Sequence, residues 1–172
     1  ILLITLLVNL LPALATQAIA VGFDDETIAI AAPYVAINFW YLPLIFAVTF
    51  LSTMLQYKHH FATSAFSTAL LNISLILALY FSQDKSQAEI VYYMSWGVVI
   101  GGLMQLFVHI VAVYNYGLSK ILIGGFKHIR VKTKIIKKET KEFRKQFFPA
   151  MWGNSTAQVS AFLDTFLASF LV

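Results

Sequence analysis

The first twenty-one residues, Ile1 to Val21, contain no charged side chain, and this restricts the chain's fold more than any other feature. Thr5, Asn9, Thr16 and Gln17 supply the polarity of that run. A helix rises about 1.5 Å per residue, so about 20 apolar residues cross the hydrocarbon of a bilayer. The same pattern returns from Ile28 to Tyr57, from Ala62 to Phe81, from Ile90 to about Tyr116, and from Phe148 onward. The composition agrees. Hydrophobic residues make up 59% and charged residues 12%, against about 25% charged in soluble domains. Such a chain lacks the polar surface that water demands, whereas lipid tails accept apolar side chains on the outside. The fold class expected is all-α, a polytopic membrane helix bundle with five spans.

Prolines mark the irregularities. Pro12 lies inside the first run, Pro33 fits an early turn of the second, and Pro43 predicts a kink there. Membrane helices tolerate such residues when neighbours satisfy the freed carbonyls. Trp40 and Tyr41 lie too deep in the second run to be simple interface anchors. In the fourth run Gly97, Gly101 and Gly102 permit close backbone approach. The chain has no cysteine, which excludes disulfides and thiolate metal sites. It starts without methionine, shows no signal-peptide pattern, and ends inside an apolar run, so we expect a piece of a longer protein.

Charge sets the orientation. The net charge is +4, concentrated between Lys127 and Lys145. The breaks at 57–61 and 117–146 are basic; those at 22–27 and 82–89 are acidic or balanced. Basic loops stay cytoplasmic, and the two basic breaks are separated by two spans, so they fall on one side. Ile1 is then cytoplasmic and the fifth run heads outward. Within the basic block, Ile129, Ile136, Phe143 and Phe147 recur near helical spacing, with Lys134, Lys137, Lys138, Lys141 and Lys145 able to occupy the other side. This is the pattern of an interfacial helix facing anionic head groups, although positive-inside topology alone also calls for lysines there. The block lacks a folded reading element, and nucleic acid is not an expected partner.

No catalytic motif is present: there is no GxSxG, HExxH or Walker loop. The protein is not expected to be an enzyme. Adjacent His59 and His60 point in different directions on a helix and read as loop residues beside head groups. Asp164 stands apart as the only carboxylate inside a predicted span. A charge at a helix centre costs about 2.5–3.5 kcal/mol on insertion scales, and such residues usually face a bundle interior or watery cavity. Gly153, Ala157, Ser160, Asp164 and Ala168 share one small-residue face. That face suits a cavity, a cation site, or a close contact with another helix. Asn154 and Gln158, one turn apart, suit either a substrate head group or helix–helix hydrogen bonding. The same two roles are open to Asn72 and Gln105, with packing favoured. For His109 an interhelical hydrogen bond is preferred to proton sensing.

Several segments carry a resemblance. The stretch Tyr57–Ile76, YKHHFATSAFSTALLNISLI, the APY of Ala32–Tyr34, the GGLMQ of Gly101–Gln105, and FPAMWGNSTAQVSAFLDTFLAS at Phe148–Ser169 are collinear with the pattern of the MurJ/MviN family. The chain resembles helices three to seven of that family's fourteen-helix, MOP-superfamily fold. The resemblance implies that residues 1–116 hold four helices of an N-terminal lobe. Residues 117–147 would be a basic cytoplasmic linker with an amphipathic helix, and 148–172 the first helix of a C-terminal lobe. It further implies a multi-pass protein of the bacterial cytoplasmic (inner) membrane that flips lipid II, the undecaprenyl-pyrophosphate-linked peptidoglycan precursor, by alternating access. The expected partners are lipid II, membrane lipids and the protein's remaining helices. The family's substrate-gripping arginines lie in helices outside this chain. Asp164, with Thr165 as a weaker neighbour, matches a position implicated in a sodium site in some members; Na⁺ is the one ion implied, and no other cofactor or metal is. A related exporter for O-antigen-type lipids or drugs and a non-transporting membrane scaffold are the alternatives.

Overall fold

The computed structural model describes residues 1–127, 138–145, 148–149, 160 and 163–170. Among these residues the regular structure is helical: α1 (Leu2–Leu10), α2 (Pro12–Ile19), α3 (Asp25–Phe39), α4 (Tyr41–Tyr57), α5 (Ala62–Ser82), α6 (Gln87–Asn115) and α7 (Ser119–Lys127). Helical turns also cover 138–145 and 163–168. The chain divides into two compact units. The first comprises Ile1–Thr16 with Asp25–Ser119, the second Gln17–Asp24 with Lys120–Val172.

Three segments are long and apolar enough to cross a bilayer: Asp25–Tyr57, Ala62–Ser82 and Gln87–Asn115. The first run departs from a simple span. It breaks at Leu11 into α1 and α2, whose axes differ by 105°. Pro12 explains the break. It sits at the first position of α2, where its missing N–H is not needed, and its ring clashes with the carbonyl of Val8, four residues back, so α1 cannot run on through it. With this bent pair counted as one span the described residues hold four. Most of the fifth expected run lies outside them.

The second run behaves differently. Its 33 residues form one span with a single-residue turn at Trp40, three residues before Pro43. That offset is what a proline ring produces, because it clashes with the carbonyl four residues back, here that of Phe39. Pro33 is deeper in its helix than expected, since α3 already starts at Asp25 with Asp25 and Glu26 in its first turn. Carboxylates there complement the positive end of the helix dipole. At about 1.5 Å per residue the span measures about 50 Å, longer than a hydrocarbon core of about 30 Å, so its ends project into the interfaces.

α6 starts with a capping box: Ser86 Oγ accepts from the Glu89 amide at 3.4 Å, and Glu89 Oε2 accepts from the Ser86 amide at 3.0 Å. α4 and α6 end alike. The His60 amide donates to Leu55 O (2.9 Å) and His59 to Gln56 O (2.8 Å); Leu118 donates to Val113 O (2.9 Å) and Gly117 to Tyr114 O (3.0 Å). Each is a Schellman ending. The left-handed residue is His59 (φ 63°) in one and Gly117 (φ 68°) in the other. The His60 ring stacks on Tyr116 with centroids 3.5 Å apart, tying the two ends together.

α6 is the hub against which α3, α4 and α5 pack. A Cβ on Gly97 would lie 2.8 Å from Ala78 Cβ, and one on Gly101 would lie 2.7 Å from Leu71 Cδ1 and 3.1 Å from Leu71 Cα. A Cβ on Gly102 would instead meet the Tyr41 ring of α4 at 2.7 Å. The three glycines therefore serve two contacts, the 97/101 pair toward α5 and Gly102 toward α4. Ser74 Oγ donates to Gly97 O at 2.7 Å across the first of these.

Candidate functional site

Polar side chains line the interior of the first unit, while large apolar ones face outward. Thr5, Ser67, Ser74, Ser95, Gln105 and His109 are buried. Leu3, Leu10, Phe46, Phe66, Ile76 and Phe107 are exposed. Water would enforce the reverse arrangement; hydrocarbon permits this one provided the inner polar groups bond to each other.

They do so in three tiers. In the first, Asn9 of α1 donates from Nδ2 to Thr5 O (2.9 Å) and to Ala36 O of α3 (3.2 Å), and its Oδ1 accepts from Trp40 Nε1 (3.2 Å). Trp40 thus has a partner for its indole N–H in the half-buried Asn9 amide. In the second, Asn38 Nδ2 donates to Tyr34 O (2.9 Å) and to Ser95 Oγ of α6 (3.1 Å). In the third, the Tyr41 hydroxyl donates to Gln105 Oε1 (3.2 Å), and Gln105 Nε2 donates to Ser67 O of α5 (2.9 Å). One amide therefore joins α4, α5 and α6. One turn further, His109 Nδ1 lies 2.8 Å from Gln105 O, and its buried Nε2 has no partner among the described residues.

The carboxamides and hydroxyls of this seam carry dipoles and no formal charge. The arrangement fixes helices and offers no acid–base pair. Among the described residues no group of three or more His, Asp or Glu side chains is placed to hold a metal ion.

The residues singled out in the sequence separate into several places. Gln105 is buried, and both ends of its carboxamide make helix-to-helix bonds. Asn72 is exposed on α5. Asp164 and Thr165 are exposed on the helical stretch 163–168 of the second unit. Lys138, Lys141 and Lys145 are exposed on the helical stretch 138–145, with the Arg144 guanidinium 5.9 Å from the Phe148 ring centroid. Lys134, Lys137, Asn154 and Gln158 lie outside the described residues. Sequence reasoning passed over Asn9, Asn38, Tyr41 and Ser95. Of these only Ser95 carried a signal, since Ser95, Gly102, Gln105 and His109 repeat at helical intervals on one face of α6.

Also within the first unit, a cleft of about 420 Å³ opens between α5 and α6, walled by Phe81, Tyr92, Tyr93 and Trp96 above Gly97 and Ile100. Its lining is almost wholly apolar.

An apolar exterior, a hydrogen-bonded polar interior and several bilayer-length helices define a polytopic α-helical membrane protein. The family model described as Lipid II flippase MurJ matches residues 1–172, and the chain belongs to that family. Among its relatives, a probable lipid II flippase MurJ of Helicobacter pylori (strain ATCC 700392 / 26695) is 47% identical over 96% of this chain and 38% of its own length. A probable lipid II flippase MurJ of Rhizobium tropici is 34% identical over 69% of this chain and 23% of its own. The lipid II flippase MurJ of Burkholderia cenocepacia is 30% identical over 88% and 29%. The chain spans about two-fifths of the length of the Helicobacter relative. No solved structure matches it.

Proposed function

We propose that this chain forms part of a flippase that carries lipid II from the inner to the outer leaflet of the bacterial cytoplasmic membrane, a transporter and not a catalyst. Family membership along the whole chain carries the reading. The inside-out polarity of the first unit supports it: a diphosphate-linked sugar cannot cross hydrocarbon without a shielded polar path, and such paths are built from helices whose polar groups turn inward. In this reading the tiers around Asn9, Asn38 and Gln105 make α1 and α3–α6 move as one body during alternating access.

Asp164 is proposed as a cation ligand, with Na⁺ the candidate ion and Thr165 beside it. Its exposure on 163–168 agrees with a carboxylate completed by further helices of the full-length protein. Lys138, Lys141 and Lys145, exposed on one short helical stretch, are proposed to face anionic head groups of the cytoplasmic leaflet.

The test is rescue of cells depleted of their own lipid II flippase by the full-length protein, wild type and Asp164→Ala, at equal membrane abundance. Rescue by wild type with loss in Asp164→Ala supports transport and the cation role together. Rescue by both keeps the flippase and makes Asp164 structural. No rescue by abundant wild type turns the assignment to a related exporter or a scaffold.

A further inference from the structure

The second unit contains a contact that the polar seam does not explain. The Gly22 amide donates to Ser169 Oγ at 2.9 Å across 147 residues of sequence. Ser169 Oγ in turn donates to Phe166 O at 2.7 Å, and the Ser169 amide donates to Thr165 O at 3.1 Å. Its hydroxyl is therefore fixed in direction. Ser169 is 2% exposed, and Ala20 beside the turn is 5% exposed.

The fit is steric as well as polar. A Cβ on Gly22 would stand 2.5 Å from Ser169 O, 2.6 Å from Ser169 C and 2.7 Å from Phe170 N. These are backbone atoms and cannot swing aside as a side-chain end would. The φ of Gly22 is not in the left-handed region, so the backbone itself would accept alanine. What excludes a side chain at position 22 is the contact.

Its place in the membrane follows from charge. The turn at 22–27 is on the side opposite the basic breaks, the outer side. Residues 163–170, which reach Gly22, then lie on that side too. We propose that Gly22 and Ser169 form the closing contact of the outer side: a glycine seat that receives the end of the 163–168 helix when the outer path is shut, and that separates when it opens. This rests on the alternating-access reading above, in which residues 163–170 belong to the second moving lobe. The seat suits a contact that must form and break repeatedly, because one hydrogen bond and a backbone-to-backbone fit close tightly without burying charge.

The experiment uses the full-length protein carrying a single thiol, Ser169→Cys, in a Gly22 and a Gly22→Ala background. Cells are treated from outside with a membrane-impermeant maleimide, and rates are normalised to the same protein unfolded in SDS. The contact predicts slow labelling with Gly22 and labelling about tenfold faster or more with Gly22→Ala, since accessibility of a buried thiol follows the opening equilibrium. Fast labelling in both, equal slow labelling in both, or labelling only after the inner face is exposed each overturns the proposal. Where Gly22→Ala fails to accumulate, the rate in the Gly22 background alone decides: labelling as fast as in SDS removes the contact, and strong protection supports it. Failure of the wild-type protein to rescue flippase-depleted cells would strike the transport reading and leave the labelling result intact.

Discussion

Gln105 donates to the main-chain carbonyl of Ser67 at 2.9 Å, a buried bond that pins α6 to α5. The same carboxamide accepts from Tyr41, so its loss releases groups on two other helices. Single interhelical hydrogen bonds in membranes are worth about 0.6 kcal/mol on average and at most about 1.7 kcal/mol. Gln105→Leu is therefore expected to cost about 1–2 kcal/mol in the full-length protein, read as a lower midpoint in SDS unfolding. Tyr41→Phe, which removes one hydroxyl, is expected to cost less than half as much. Equal costs would show that Ser67 is not the stronger partner.

Close approach predicts a sharper effect at the glycines of α6. Gly101→Val drives its side chain into the Leu71 Cα region, and Gly97→Val drives one into Ala78. Overpacking of this kind typically costs about 1–3 kcal/mol. Both variants are expected to lower membrane abundance and melting temperature. Gly124→Ala, with nothing within 4 Å of the added carbon, is expected to be neutral or slightly stabilising, because alanine is the better helix former. A thermal-melting series of the three variants in detergent checks the order.

The two Schellman endings make a matched pair with opposite expectations. His59 adopts a left-handed φ of 63° that costs a side-chain-bearing residue about 1 kcal/mol. His59→Gly is expected to raise stability by up to that amount. Gly117→Ala, at φ 68° in open space, is expected to lower it by a similar amount. If both changes shift the melting point the same way, the left-handed assignment at one end is wrong.

His109 offers a buried acceptor, Nε2, that nothing among the described residues engages. Removing an unsatisfied group recovers its desolvation cost, about 1–3 kcal/mol, which offsets lost packing. His109→Leu is thus expected to melt within about 1 kcal/mol of wild type, whereas His109→Lys, which buries a charge, is expected not to accumulate. A large loss in His109→Leu would mean that the imidazole is bonded in the complete protein.

How much of this was legible in the sequence depends on the kind of signal. Long uncharged runs announced the spans from Ile28 to Tyr57, Ala62 to Phe81 and Ile90 to Tyr116, because bilayer thickness leaves few other options for them. The glycines of α6 announced close packing. The 105° turn at Leu11 was not legible, since Pro12 in an apolar run permits anything from a slight kink to a full break, and tertiary packing selects. The turn at Trp40 was displaced from Pro43 for a local reason, the clash with the Phe39 carbonyl. Most of the polar seam was hidden for a different reason: Asn9 and Asn38 each look like an isolated polar residue until their helices are brought against their neighbours. Gln105 was visible as a candidate, with packing its favoured role, but its partners were not. The Gly22–Ser169 pair is 147 residues apart in sequence, and no periodicity connects them.

The central claim is that the full-length protein exposes lipid II to the outer leaflet. It is tested most directly by adding a lipid II-cleaving enzyme outside cells depleted of their own flippase and supplied with this protein. Labelled lipid II is expected to become cleavable when the wild-type protein is present and to stay protected without it. Protection that persists in the presence of abundant, correctly inserted protein would show that it does not move lipid II outward.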